Sequence, residues 1–142
     1  MNKSIFLVAV LVLALVGCQG RFGIDGGLNP SGLCDTPKTH CINVYIIGGA
    51  IKVDIDSLYV YGPNHKIYWV LDPGTTNGYL FPNNGIVMPN NPNPEFPGCQ
   101  AIQNGFMYFC NDLNTKSGSY KYTINLTGPQ PVPALDPSIL NG

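Results

Sequence analysis

Short segments in which apolar and polar residues alternate recur along the chain after its first forty residues. In Ile51–Asp56 (IKVDID) the odd positions are apolar and the even positions are charged. In Tyr120–Leu126 (YKYTINL) every second residue is aromatic or aliphatic. A period of two places successive side chains on opposite faces of a β-strand. Each segment therefore predicts a strand with one buried face.

The other predicted strands are apolar, rich in β-branched and aromatic residues, and bounded by Gly, Pro or Asn. They are Ile42–Ile47, Leu58–Tyr61, Lys66–Leu71, Tyr79–Phe81, Gly85–Met88 and Phe106–Cys110. Strands recur at intervals of about 8–15 residues, and no helical period follows the leader. The pattern predicts an all-β fold, a small antiparallel β-sandwich over residues 40–127.

The first residues have the layout of an export signal. Lys3 precedes an unbroken apolar run, Ile5–Val16, which is short for a membrane span of about 20 residues. We therefore predict a cleaved signal helix at residues 1–17, with a buried core helix as the alternative. Residues 18–39 are rich in Gly and predicted to form a flexible tether, and residues 128–142 a Pro-rich tail that is only partly ordered.

The end of the apolar run, Leu15–Cys18 (LVGC), resembles the lipobox of bacterial lipoproteins. In that family the cysteine thiol receives a diacylglyceryl group, and cleavage makes the modified cysteine the new N-terminus. The resemblance implies lipidation of Cys18 and attachment to a membrane through the lipid. Gln19, in place of Asp, favours the outer membrane by resemblance to Gram-negative lipoproteins. The alternative is a secreted protein in which Cys18 has no role.

Four cysteines remain after Cys18, and an even number in an exported chain predicts two disulfides. Three connectivities are possible. We favour the pairing of neighbours in sequence, Cys34 with Cys41 and Cys99 with Cys110, because each bridge closes a short loop. The rival interpretation is a metal site, but the spacings match no zinc pattern.

Charged residues are few, and this restricts the classes of function that the chain can have. Lys3 lies in the leader, so the predicted mature chain has six Lys and Arg and eight Asp and Glu, which gives a net charge near −2. The absence of a basic patch argues against a nucleic-acid partner. No nucleophile motif is present, and we interpret Asp54 and Asp56 as a solvated strand face. The sequence therefore predicts a non-enzymatic protein without catalytic residues.

Two stretches, Asp56–Asp72 and Gly105–Leu126, resemble parts of a cupredoxin-like β-sandwich. The first carries Trp69 on a strand that follows a turn, and the second has a strand ending in Cys110 before a closing G-x-Y-x-Y-x-I strand. The family binds type I copper through two His, a Cys and usually a Met.

The copper ligands of that family are missing here. Neither Pro73–Pro82 nor Asn111–Ser119, where the family places its histidines, contains one. We therefore predict no metal ligands and no cofactor. The alternative is a copper-binding electron carrier or copper chaperone that uses Cys110, His65 and the two mature methionines.

Aromatic residues crowd the predicted strands. Tyr59 and Tyr61 face outward if Leu58 and Val60 face the core. Exposed Tyr with few charges is typical of a contact surface for a protein or a glycan, and cross-strand pairing within the sheet is the alternative. The leading hypothesis is an envelope lipoprotein whose β-sandwich acts as a binding or assembly module.

Overall fold

The computed structural model describes residues 32–89 and 94–142. Within them the regular structure is β apart from short 3-10 turns, so the all-β fold class is confirmed. The predicted signal at residues 1–17, with Cys18 and most of the predicted tether, lies outside the described residues. No helix in the described ranges is long and apolar enough to cross a membrane.

Ten strands are present in the described part of the chain. They are β1 (Thr39–Ile47), β2 (Ala50–Val53), β3 (Ser57–Val60), β4 (His65–Leu71), β5 (Ile86–Val87), β6 (Gln100–Ile102), β7 (Met107–Asp112), β8 (Gly118–Lys121), β9 (Thr123–Ile124) and β10 (Ser138–Asn141). A five-stranded sheet has the order β2-β1-β4-β7-β6, and a three-stranded sheet has the order β3-β10-β8. β5 pairs with β9 as a separate ribbon. The sheets pack together as a sandwich-like fold around one apolar core.

The sheets are mixed, whereas the sequence predicted antiparallel pairing throughout. β1 pairs with β4 in parallel, and β3 pairs with β10 in parallel. β2 turns back from β1 in a hairpin, but β3 then joins the other sheet. β4 therefore returns to the first sheet in the direction of β1. A pattern of alternating residues reports which side of a strand is buried and carries no information on strand direction.

The centre of the core is aromatic. Trp69 on β4 has no exposed surface, and its ring meets Tyr122 edge-to-face at 5.3 Å and Tyr108 at 6.4 Å between centroids. Tyr122 and Ile124 are also fully buried, as the alternation in Tyr120–Leu126 predicted. The predicted single strand is divided between β8 and β9, but its buried face is correct.

Both predicted disulfides are present. Cys34 bridges Cys41, with 5.8 Å between their Cα atoms, and Cys99 bridges Cys110, with 4.1 Å. The first ties the end of the predicted tether to β1. The second joins the edge of the large sheet to β7, where Cys110 belongs to the buried core.

The predicted Pro-rich tail is wrong for its last residues. Ser138–Asn141 form β10, which lies between β3 and β8 and has Ile139 fully buried. Prolines are frequent in the preceding stretch and stop at Pro137, which is itself buried. The backbone of this stretch is held to β9 and its neighbour through Leu135 and Pro137, and the proline-free residues that follow can donate to the sheet as a strand.

Candidate functional site

The turn between β3 and β4, Tyr61–Asn64, is held by side chains from two other parts of the chain. Gly62 and Asn64 have positive φ, at 80° and 63°. The Asn114 amide donates to the carbonyls of Val60 (3.1 Å) and Gly62 (2.9 Å), and the Lys38 ammonium donates to the carbonyl of Pro63 (2.8 Å). Each anchor comes from a different part of the chain, so the turn has a fixed position on the sandwich.

A pair of histidines lies directly behind this turn. His40 Nε2 and His65 Nδ1 are 2.9 Å apart, and His65 Nε2 is 3.0 Å from the carbonyl oxygen of Tyr61. A carbonyl only accepts, so His65 Nε2 carries a hydrogen and donates it. His65 Nδ1 then has a free lone pair in the neutral ring, and His40 Nε2–H donates to it. The pair is brought together because β1 and β4 run in parallel from neighbouring starts.

The two rings differ in exposure. His65 is buried and His40 is half-buried. Loss of hydration lowers the pKa of His40 below its usual 6.5, and the charge of a protonated His65 lowers it further. A shallow cavity of about 200 Å³ opens beside His65 and is also lined by Lys66 and Asp112.

Two carboxylates lie buried on the β7 side of the same region. Asp112 accepts hydrogen bonds from the Asn141 amide (3.0 Å) and the Asn114 backbone N–H (3.0 Å), while its Oδ2 has no protein partner. Glu95 accepts hydrogen bonds from the backbone N–H (2.9 Å) and hydroxyl of Thr115. These bonds join β7 to β10 and to the loop after β7, and they join that loop to the segment before β6, which is a structural use of buried polar groups.

The pKa values of Asp112 and Glu95 are shifted in opposite directions. Burial is the largest effect on Asp112 and raises its pKa, although hydrogen bonds from Asn141 and Asn114 oppose the rise. Burial also acts to raise the pKa of Glu95, but hydrogen bonds from Thr115 outweigh it and the net pKa is lowered.

On the outer side of the turn, Tyr59 and Tyr61 form an aromatic surface, which we name the tyrosine face. Tyr59 is 60 % exposed and Tyr61 is 72 % exposed, as the sequence predicted. Leu140 on β10 pairs with Tyr59 and is partly exposed beside it. A Cβ on Gly142 would stand 3.1 Å from the Tyr61 ring, so that ring lies against the Gly142 backbone.

β3 also forms one edge of its sheet. The carbonyls of Asp56 and Val60 accept hydrogen bonds from Ser138 and Gly142 on the β10 side. Backbone groups alternate in direction along a strand, so the N–H and C=O of Tyr59 point away from β10. In the described ranges no strand pairs with that side of β3.

A second apolar surface lies at the opposite end of the large sheet, where β1 and β4 end. Phe106 and Ile47 are each 56 % exposed there. Phe106, Tyr79, Leu80 and Pro73 border a cavity of about 330 Å³. The residues that line the cavity include no Asp, Glu, His, Lys or Arg, so it offers an uncharged and largely apolar surface.

The type I copper site implied by the cupredoxin resemblance does not fit these residues. Its thiolate would be Cys110, whose sulfur is bonded to Cys99. His65 is on the strand next to Cys110, but its two ring nitrogens face His40 and Tyr61. Within residues 32–89 and 94–142, no three His, Cys, Asp or Glu side chains are grouped to hold a metal ion.

The acidic pair Asp54 and Asp56 lies in the segment that follows β2. Asp54 accepts from the backbone N–H of Asn43 (2.8 Å) and from its amide (2.5 Å), so it fastens β1 to the segment after β2. Asp56 is exposed. The histidine pair and the burial of Asp112 were not predicted, because parallel pairing of β1 with β4 has no signature in the sequence. The only available signal was that His40 and His65 each stand at the start of an apolar segment.

Comparison of the sequence with protein-family models found no match, and comparison with curated proteins found none either. The functional interpretation therefore depends on the residues and their geometry.

Proposed function

We propose that the chain is an exported lipoprotein, anchored through Cys18, whose sandwich domain is a non-enzymatic binding module. The observation that carries the proposal is the tyrosine face, two neighbouring exposed tyrosines on the free edge of a sheet. The proposed location is the cell envelope, with the outer membrane favoured by Gln19.

The covalent chemistry of the cysteines supports export. Disulfides persist in oxidising compartments such as the periplasm and the cell exterior. Four of the five cysteines are paired in two bridges, which leaves Cys18 as the cysteine with another role. Its position at the end of the apolar run is the position that lipid attachment requires. A lipid at Cys18 would place the domain within a tether's length of the membrane.

The tyrosine face supports binding. Tyrosine supplies a large apolar ring and a polar tip, and it is enriched in the cores of protein interfaces, where charged residues are depleted. Tyr59 and Tyr61 stand two residues apart, and the outer neighbours of Tyr59 across the sheet are Leu140 and then Ser119. None of these side chains is charged.

The free edge of β3 favours an extended segment of a partner protein as the occupant. A strand added at Tyr59 would gain backbone hydrogen bonds, and its side chains would meet the two tyrosine rings. A glycan would use the rings alone and would gain nothing from the backbone groups. We therefore propose a protein partner, with a glycan as an outcome that the experiment distinguishes.

Anchoring is tested by mass spectrometry of the mature N-terminus in wild type and in Cys18→Ser. The wild-type chain should begin at Cys18 and carry fatty acyl mass. A wild-type chain that begins elsewhere without lipid would contradict the anchor and would favour the secreted alternative. Cys34→Ser/Cys41→Ser, which also removes thiols, is the control that should retain the lipid.

Binding is tested by a photo-crosslinking residue at position 59, with position 52 on β2 as the exposed control. Position 59 should give one discrete adduct that protease removes. The crosslinked protein, once identified and purified, should bind the wild-type chain and lose at least about tenfold in affinity for Tyr59→Ala/Tyr61→Ala. Equal adducts at both positions, or an adduct that resists protease and yields to glycan-cleaving enzymes, would contradict a protein partner.

Backbone pairing has its own test. Tyr59→Pro removes the outward N–H while leaving the carbonyls of Asp56 and Val60 paired with β10. It should weaken binding beyond Tyr59→Ala. Equal affinities would mean that the tyrosine rings act without an added strand.

A further inference from the structure

We propose that Asp112 holds a proton on Oδ2 and donates it in a hydrogen bond to Oδ1 of Asn141, and that removal of this proton at rising pH loosens the tyrosine face. We name these two side chains the carboxyl–amide pair. The pairing itself is a property of the fold. Its use in regulation rests on the function proposed above, in which the tyrosine face binds a partner.

The hydrogen bonds on Asp112 have the distribution of a neutral carboxyl group. The Asn141 amide and the Asn114 backbone N–H, each at 3.0 Å, both donate to Oδ1. Oδ2 is buried and has no hydrogen-bond partner. A carboxylate divides its charge between two oxygens that both need donors, whereas a protonated carboxyl group has one accepting oxygen and one O–H donor. Oδ1 is therefore the carbonyl oxygen and Oδ2 the hydroxyl.

Asn141 offers the acceptor that this hydroxyl needs. Its side chain is 6 % exposed, and its Nδ2 donates to Asp112 while its Oδ1 has no hydrogen-bond partner. A carboxamide and a neutral carboxyl group are both planar, and each has a donor and an acceptor side by side. A second hydrogen bond, from Oδ2–H to Oδ1, can therefore run beside the first. One proton then satisfies two buried oxygens that would otherwise be unpaired at a cost in stability.

The charges around Asp112 decide when the proton is lost. Burial is the largest effect and raises the pKa of Asp112 above the ordinary 3.8, the charge of Glu95 raises it further, and the hydrogen bonds that the carboxyl group accepts and a protonated His65 on β4 oppose the rise. Tyr120 on β8 also interacts electrostatically with Asp112, and Lys66 borders the cavity beside it but is exposed to solvent. The proton is therefore retained below the raised pKa and is lost as the pH rises through it.

The carboxyl–amide pair lies on the inner side of the sheet that carries the tyrosine face. Asn141 pairs with Val60 on β3, between the two tyrosines, and both side chains are buried. The next residue, Gly142, donates to the Val60 carbonyl (3.0 Å), and its backbone lies against the Tyr61 ring. The end of β10 thus supports the tyrosine face directly.

The other support of the tyrosine face also depends on Asp112. Asn114, whose side chain holds the Tyr61–Asn64 turn, has its backbone N–H on Asp112 Oδ1. When Asp112 ionises, its Oδ2 and the Asn141 Oδ1 are two acceptors with no donor between them. The contact of β10 with β7 is then weakened, and the tyrosine face is held less firmly.

The pairing is tested first in the wild-type chain, where no substitution is needed. Nuclear magnetic resonance of the full chain with both disulfides intact follows the Asp112 carboxyl carbon and the Asn141 side-chain amide as the pH is raised. Both signals should change together, with one midpoint above 3.8. A midpoint at or below 3.8, or an Asn141 amide that does not follow Asp112, would overturn the pairing.

Two variants test what the proton does. Asp112→Asn replaces Oδ2–H with an N–H donor and keeps both hydrogen bonds at every pH, whereas Asn141→Leu removes both. Hydrogen exchange of the β10 amides and of Gly142, corrected for the intrinsic effect of pH, should become at least about tenfold faster in wild type above the Asp112 midpoint. It should stay slow in Asp112→Asn and be fast throughout in Asn141→Leu. An unchanged wild-type rate, or the same acceleration in Asp112→Asn, would contradict control by this proton.

Regulation is tested with the photo-crosslinking residue at position 59. The yield of the discrete adduct should fall at least about twofold across the Asp112 midpoint in the otherwise wild-type chain and should stay constant when Asp112→Asn is added. A yield that does not depend on pH, or that falls equally in both chains, would overturn the regulation and leave the proposed function in place. Absence of a discrete adduct at every pH would contradict the proposed function and the regulation together, while hydrogen exchange would still decide the pairing.

Discussion

At the scale of single residues, Asp112 and Glu95 show that burial alone does not decide how a carboxyl group titrates. Both side chains are buried. Thr115 gives Glu95 two donors, whereas Asp112 keeps one oxygen without a protein partner. The pKa of Asp112 is therefore raised and that of Glu95 is lowered. The two groups make opposite contributions to the dependence of stability on pH.

We predict that Asp112→Asn gains stability relative to wild type as the pH rises above 3.8. The folded wild type holds a proton on Asp112 that the unfolded chain has released, so its free energy of unfolding falls with rising pH across the interval up to the raised pKa. Asparagine has no proton to lose. Urea unfolding followed by Trp69 fluorescence at several pH values measures the difference.

Glu95→Gln is the matched control and should show the opposite trend. Its lowered pKa gives stability that is present above 4.5 and is lost as the pH falls through the folded pKa, so the variant should lose most, relative to wild type, near neutral pH. If the free energy of unfolding, relative to wild type, changed with pH in the same direction in both variants, the environments of Asp112 and Glu95 would have been assigned wrongly.

At the scale of elements, the sequence pattern predicts some strands of the fold clearly and gives little sign of others. The β-branched run in Ile42–Ile47 predicted β1, and the alternation in Ile51–Asp56 predicted β2 together with its buried face. β6 was missed because its three residues, Gln100–Ile102, are too few to show a period. β10 was missed because the prolines before it predicted a tail that is only partly ordered, although Ile139 packs in the core. The outward tyrosines of the tyrosine face were predicted, but the histidine pair was not, because it depends on which strands become neighbours.

We expect Ile139→Ala to destabilise the protein by about 3 kcal/mol, since it removes a fully buried side chain from the central strand of its sheet. Leu140→Ala, one residue later on the outer face, should cost about 1 kcal/mol. Chemical denaturation compares the two variants. Equal costs would show that β10 is not inserted between β3 and β8.

The segment between β9 and β10 packs closely against Tyr79 at Gly128. A Cβ there would lie 2.2 Å from the Tyr79 ring, so Gly128→Ala should cost about 2 kcal/mol. The control is Gly118→Ala on β8, where the nearest atom is 3.7 Å from the new Cβ and little change is expected. Thermal unfolding of both variants measures the effect, and a stable Gly128→Ala would mean that the segment does not pack on Tyr79.

At the scale of the whole molecule, the two bridges have different roles. Cys34–Cys41 closes a short loop at the margin of the sheet, whereas Cys110 lies in the core and its bridge joins β7 to the segment leading into β6. Loop entropy alone gives each bridge about 2–3 kcal/mol. Opening the second also disturbs the packing around Cys110.

We therefore predict that Cys99→Ala/Cys110→Ala lowers the free energy of unfolding more than Cys34→Ala/Cys41→Ala does. The first variant should lose at least about 3 kcal/mol, and the second about 2 kcal/mol with the core intact. Urea unfolding under oxidising conditions gives both values, and hydrogen exchange at β7 shows whether the core is affected. A larger loss in the second variant would contradict the role given to Cys110.

Under the export proposed above, the insertion of β10 would determine when this domain can be completed. β3 and β8 meet only through β10, so they cannot be joined before residue 141 has been delivered. A chain threaded through a translocation channel from its N-terminus would hold the smaller sheet unassembled until β10 had emerged. In the proposed route, late closure of this kind would keep the polypeptide thin enough to be transported and would confine its final folding to the compartment that it enters.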